Sequence, residues 1–241
     1  MVGDHEDEVH RSPADLAVVG PPAVVCRDLA GRVPQRDDEP PEPARPPPPP
    51  APPAGGERLK ASHVLAALAE RLPRNAVVVE EAPVDRPDIH ARLPARESLG
   101  FLSAAQGGLG FAMPAAAGVR MALPERPVVA VVGDGSAVYG VPVVWSAVHY
   151  GIGALFVVLS NERYAVMDRL AERAHGTTGP WPAFGEVELA TIARGFGCRA
   201  ERITTHDELL SAMDDAVPTL AERQEPLLLD VLVEPTLDFA P

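Results

Sequence analysis

The 241-residue chain is short of cysteine, of positive charge and of long apolar runs, and each shortage excludes something. Its two cysteines, Cys26 and Cys198, lie far apart, with no CxxC pair and no Cys/His spacing suited to zinc. They read as the thiols of a reduced, cytosolic protein. The formal net charge is −13, which argues against sequence-independent binding to nucleic acid or to an anionic membrane. It also means that an anionic ligand needs a local device: a helix N-terminus, a glycine-rich loop or a cation. No run approaches transmembrane length, and the acidic start "MVGDHEDEVHRSP" lacks the apolar core of a signal peptide. There is no internal repeat.

Proline is abundant but local. Ten of the fourteen residues from Pro40 to Pro53 are proline, which predicts an extended, poorly ordered spacer over residues 34–57. A docking motif for a proline-recognising domain is the rival reading of that stretch. Before it, residues 1–33 have room for a short strand and one amphipathic helix, too little to bury a core alone. After it, residues 58–241 read as one domain.

In that domain, strand-like runs apolar on both faces ("NAVVVE", "RPVVAVVG", "ALFVVLSN", "PLLLDVLV") alternate with helical patterns. This predicts an α/β fold with a parallel sheet covered by helices on both faces. Ser62 is a candidate N-cap for the helix "ASHVLAALAERL". Pro114 is tolerated in the first turn of "FAMPAAAGVRMAL". Thr205 and Glu208 form a capping box, and Pro218 should kink or split the helix that follows. Residues 82–106 read as loop-rich.

Open parallel sheets bind ligands beyond the carboxyl ends of their strands. Two consecutive strands here end in polar residues: Gly133-Asp134-Gly135-Ser136 and Ser160-Asn161-Glu162. One strand-helix-strand crossover separates Asp134 from Asn161, which can bring the two side chains together at one sheet edge. A carboxylate with an amide carbonyl is a hard-oxygen pair suited to Mg²⁺ or Ca²⁺ bridging to phosphate. Glycines let a ligand approach the backbone, and Ser136 with the following helix start can donate to phosphate. Taken alone, Gly-Asp-Gly is also an ordinary βα turn. A dinucleotide fingerprint fits poorly, because Val138 holds the third glycine position and Asp134 would face a pyrophosphate.

The run "AAQGGLGFAMPAAAGVRMALPERPVVAVVGDGSAVYG", with Asn161 beyond it, resembles the thiamine-diphosphate-dependent 2-oxo acid decarboxylases and their carboligase relatives, the benzoylformate decarboxylase group in particular. The resemblance covers about residues 58–241 and implies the family's C-terminal, pyrophosphate-binding domain. It implies Asp134, Asn161 and the carbonyl of Arg163 as Mg²⁺ ligands. Gly133, Gly135 and Ser136, helped by Tyr139, would meet the diphosphate. Gly107 would accept a hydrogen bond from the aminopyrimidine, and Leu109 would hold the cofactor bent. Glu81–Val84 falls where the family places further diphosphate contacts.

Three positions depart from the family pattern. Ser160 replaces the first of two asparagines. Val84 stands where a hydroxyl is frequent, which forfeits one hydrogen bond, ~1 kcal/mol. Ala165 replaces a common glycine. The histidines at 63, 90, 149, 175 and 206 have no mutual spacing for a metal or a triad and read as surface or helix residues. His175 stands out because its loop "HGTTGPWPAF" can close over the site, with Trp181 and Phe184 as lid or core packing. Glu80 and Glu81, after a strand, read by default as a solvated loop.

The resemblance also implies a partner. The family's activating glutamate lies in a pyrimidine-binding domain, usually on a neighbouring subunit, and complete members run to more than twice this length. The chain therefore reads as a C-terminal fragment, with residues 1–33 the tail of a middle domain. It would be a truncated gene, an incomplete gene model or half of a split enzyme, a homo- or hetero-oligomer without catalytic residues of its own. An acetolactate-synthase-like carboligase component and a non-catalytic remnant are the alternatives.

Overall fold

The computed structural model describes residues 1–35, 45–104, 107–177 and 179–236. The chain divides into two units, Met1–Ala44 and Arg45–Pro241. In the first, strands β1 (Val2–Gly3) and β2 (Val18–Val19) pair in parallel, with helices α1 (Glu6–Arg11) and α2 (Pro22–Arg32). The expected strand and helix are β2 and α2; β1 and α1 are additional. Among the described residues of this unit Val9 is the buried apolar one, as expected of so short a segment.

The second unit is built on six parallel strands: β3 (Val77–Glu81), β4 (Phe101–Ser103), β5 (Val128–Gly133), β6 (Leu155–Ser160), β7 (Arg199–Ile203) and β8 (Leu227–Leu232). Their order across the sheet is β4-β3-β5-β6-β8-β7. Side chains alternate across each strand, so β5 sends Val129 and Val131 to one face and Val128, Ala130 and Val132 to the other. The first face is closed by α3 (Ala61–Arg71), α4 (Arg86–Arg92) and α10 (His206–Ala216). The second is closed by α5 (Ala112–Ala122), α6 (Asp134–Gly140), α7 (Val143–His149) and α9 (Leu189–Gly195). Helix α8 (Ala165–His175) follows β6 and ends at Gly176, whose positive φ suits it to the left-handed cap.

Several local readings need correction. Residues 82–106 contain α4 and β4, whose short lengths hid them. Ser62 is not the N-cap of α3. Lys60 caps it, and its N–H donates to His63 Nδ1 (2.9 Å) while His63 Nε2 bonds the carbonyl of Ala51 (2.9 Å). His63 is therefore a buried structural residue whose proton sits on Nε2. Pro218 neither kinks nor splits its helix: α10 stops at Ala216, capped by Val217, and the Thr205–Glu208 capping box is present.

Part of the proline-rich stretch, residues 36–44, lies outside the described residues. The part beyond it has no regular structure, but it is not a loose spacer. Arg92 donates to the carbonyls of both Pro47 and Pro48 (3.2 Å each), and Ala51 bonds His63. Proline leaves its carbonyl free to accept, and those carbonyls are used here.

The cysteines allow a direct check of the fold. Cys26 is exposed, whereas Cys198 is buried and burial pushes its thiol up to about 11. Because the thiolate is the reactive form, Cys198 stays protonated and unreactive at pH 8. Intact-mass analysis after iodoacetamide treatment at pH 8 is expected to show one modification on the native chain and two in urea.

Candidate functional site

The site is assembled at the carboxyl ends of β3, β5 and β6. Parallel pairing sets Gly133 of β5 beside Leu159 of β6, so Asp134 and Asn161 leave the sheet as neighbours. The crossover reading holds, with α6 starting at Asp134 itself. Asp134 is buried, and its two oxygens accept from the N–H groups of Gly135 (2.8 Å) and Glu162 (2.6 Å). Burial nevertheless pushes its carboxyl up to about 6, against these hydrogen bonds and with help from the nearby charge of Asp230. Among the described residues no basic side chain forms an ion pair with it. An acid so placed is short of positive charge, which a cation would supply.

Around this point lies a cavity of about 420 Å³, large enough for a cofactor or drug-sized ligand. Its wall includes Gly107, Leu109, Gly133, Asp134, Gly135, Ser136, Asn161 and Arg163. Of the expected site residues, only Tyr139 is not in that wall. Its ring is exposed, and its Cβ packs on Gly110, 3.1 Å from where a side chain there would begin. Gly110 has φ +95°, so glycine is required on both counts. Gly135 also has no room for a side chain, because a Cβ would lie 2.7 Å from the ring of Tyr164. Tyr164 is held in turn by Phe184, ring centroids 4.8 Å apart. The loop bearing Phe184 is tied to α8 by Trp181 Nε1 donating to Asp168 (2.6 Å). His175 is exposed and does not reach the cavity wall.

The glutamates read as a solvated loop are neither solvated nor in a loop. Both belong to β3 and both are buried. Glu81 accepts from the N–H groups of Gly110 (2.6 Å) and Ala112 (2.7 Å), clamping the Gly107–Phe111 loop and the start of α5 to the sheet. Glu80 accepts from Ala82 N–H (2.8 Å), Arg86 Nε (3.0 Å) and Ser103 Oγ (2.8 Å), joining β3, α4 and β4. Ser160 turns away from the cavity and donates to Asp230 (2.5 Å), so it does not act in place of the family's first asparagine at the ligand. Asn161 Oδ1 accepts from Arg163 N–H (3.1 Å) in a turn, leaving a lone pair free. Sequence reading missed Tyr164, Met167 and Leu170, which line the cavity from α8 and its approach. The i, i+3 spacing of Met167 and Leu170 is the signal that could have found the last two.

Among the described residues no group of three His, Cys, Asp or Glu is placed to hold a metal. The hard-oxygen side chains that meet on the cavity wall are instead one carboxylate, Asp134, and one amide oxygen, Asn161. That set fits Mg²⁺ sharing its shell with phosphate, not an all-protein cage.

A doubly covered parallel sheet with a hard-oxygen pair and crowded glycines at its carboxyl edge is a phosphate-and-cation-binding α/β domain. Residues 89–231, more than half of the chain, match the family described as thiamine pyrophosphate enzyme, C-terminal TPP binding domain. The chain belongs to that family, whose cofactors are thiamine diphosphate and Mg²⁺.

The chain is 33% identical over 224 residues to benzoylformate decarboxylase of Pseudomonas aeruginosa, covering 93% of this chain and 41% of that protein. It is 29% identical over 186 residues to a Mycobacterium tuberculosis protein named as an acetolactate synthase large subunit, covering 73% of this chain and 34% of that one. Among solved structures it resembles the thiamine diphosphate-dependent 4-hydroxybenzoylformate decarboxylase of Rhodococcus jostii (TM-score 0.83, 27% identity, 97% of this chain and 43% of that one). The chain thus spans well under half the length of these relatives.

Replacing Glu81 removes the acceptor of two N–H groups, one of them, Ala112's, buried. Glu81→Ala is expected to cost about 2–4 kcal/mol of unfolding free energy in urea, with faster hydrogen exchange at Gly110 and Ala112. Unchanged exchange at both amides would contradict the clamp.

Proposed function

We propose that this chain is the cofactor-binding part of a thiamine diphosphate- and Mg²⁺-dependent 2-oxo acid decarboxylase of the benzoylformate decarboxylase type. The observation that carries this reading is the placing of Asp134 and Asn161 side by side on a cavity that Leu109 also lines. Asp134, Asn161 and the carbonyl of Arg163 hold the cation. Gly133, Gly135 and Ser136 receive the diphosphate, and Gly107 and Leu109 receive the rest of the cofactor. Tyr139 acts one step removed, by packing on Gly110.

When bound, thiamine diphosphate supplies the carbon nucleophile for cleavage beside a 2-oxo acid's carbonyl. The residues of this chain bind and orient it. Asp134 supplies negative charge to the cation, and Gly135, kept bare by the ring of Tyr164 against it, offers its backbone to the diphosphate. Activation of the cofactor falls to a glutamate of a pyrimidine-binding domain, provided in trans by another chain or by further sequence. Residues 1–33 are the tail of a middle domain, and the working form is a cytoplasmic oligomer. No helix among the described residues is long and apolar enough to cross a membrane.

Calorimetry tests the binding half of this reading. The parent is expected to bind thiamine diphosphate with Mg²⁺, and Asp134→Ala to bind at least about tenfold more weakly, as for loss of a charged ligand. Equal affinity would remove Asp134 from the site. The chain alone is expected to release no CO₂ from benzoylformate, and to do so only with a pyrimidine-domain partner. The likeness to an acetolactate synthase subunit supports a second reading, a carboligase component. Acetolactate formed from pyruvate by the complemented chain, with benzoylformate untouched, would select it.

A further inference from the structure

Among the described residues Glu162 is one of two non-glycine residues with a positive φ, at +63°. A non-glycine residue pays strain there, so something nearby must hold it. All three of its polar parts are engaged. Its N–H donates to Asp134 Oδ2 at 2.6 Å, and its carbonyl accepts from Phe184 N–H at 3.1 Å. Its carboxylate lies 3.5 Å from Arg58 and 3.7 Å from Arg202.

Arg202 is not free to move. It donates to Asp230, a fully buried carboxylate, at 2.8 Å. Asp230 also accepts from Ser160 at 2.5 Å and from Ala190 N–H at 3.1 Å. Ser160 and Glu162 flank Asn161. Asp230 and Arg202 therefore grip the segment on both sides of Asn161, from two strands that contribute nothing to the cavity wall.

We propose that Glu162 is a positioning residue of the cation site. Its left-handed backbone, held by Arg202 on Asp230, turns its N–H onto Asp134 and fixes the direction in which that carboxylate faces. This rests on the reading of Asp134 and Asn161 as the cation's ligands. In a right-handed or extended backbone the N–H would leave Asp134, and one oxygen would be free to rotate off its line.

The test compares backbone with side chain at one position in the full chain. Glu162→Gly tolerates the positive φ, Glu162→Ala strains it, and Glu162→Val strains it most. Mn²⁺ uptake in the presence of thiamine diphosphate is followed by the loss of the free-ion electron paramagnetic resonance signal. The glycine variant is expected to stay within about threefold of the parent. The valine variant is expected to lose about tenfold or more. Alanine falls between them and keeps the series readable if the valine chain does not fold.

Parental affinity in both the valine and alanine variants, or an equal loss in glycine and alanine, would overturn the proposal. A second readout needs no ligand. The Glu162 amide is expected to resonate downfield and exchange slowly in the parent, and to move upfield in Asp134→Ala. An unprotected amide overturns the positioning role. A protected amide in a parent that takes up no Mn²⁺ overturns the cofactor reading instead.

Discussion

Buried carboxylates at the carboxyl edge of the sheet set the terms for this structure. Across neighbouring strands stand Glu80 and Glu81 on β3, Asp134 after β5 and Asp230 on β8. None can be left without partners, because an unpaired buried charge costs several kcal/mol. Three have partners that explain them fully. Glu80 has Arg86 and a hydroxyl, Asp230 has Arg202 and a hydroxyl, and Glu81 has two N–H groups whose loop it holds. Asp134 has two N–H groups, no basic side chain paired with it among the described residues, and a carboxyl pushed up to about 6 by burial. Structural carboxylates thus surround one that is incomplete on the protein's own terms. That contrast sets Asp134 apart from its neighbours as the candidate ligand-binding acid.

The scaffold around it places backbone close to a ligand and then stiffens that backbone. Gly110 and Gly135 are forced by contact, with Tyr139 and Tyr164 filling the places where side chains would be. Glu81 pins one side of the opening and the Asp230–Arg202 pair the other. The residues that touch the cavity are mostly small or on turns, so their precision comes from groups behind them. Site geometry on loops depends on such support.

Much of this could be read from the sequence. The repeating apolar runs predicted the sheet, because a doubly covered strand needs apolar residues on both faces. The spacing of Asp134 and Asn161 predicted their meeting, because a parallel crossover returns the chain to the same edge. What could not be read were features set by tertiary partners. Glu80 and Glu81 look like loop residues until Ser103, Arg86, Gly110 and Ala112 are placed around them. Strand β4 has three residues, too few for a periodic signal. His63 acts at a helix start where a serine was the expected cap, because its ring reaches both Lys60 and Ala51. Tyr139 was placed by motif position, but helix α6 turns it onto Gly110.

The acidity of the chain gains meaning from the same geometry. A protein of net charge −13 repels a diphosphate over most of its surface. At the candidate site itself stands the carboxylate of Asp134, and Asp230 adds to the local negative charge. On the proposed reading a cation would bring the two anions together, and metal and diphosphate would bind as one unit. Binding on the proposed reading is conditional: a diphosphate without its metal would face the Asp134 carboxylate, and a metal without the diphosphate would lack part of its oxygen shell. On that reading an Asp in this place would act as a selector for the metal–diphosphate pair, and the stability given up by burying it would be the cost of that selectivity.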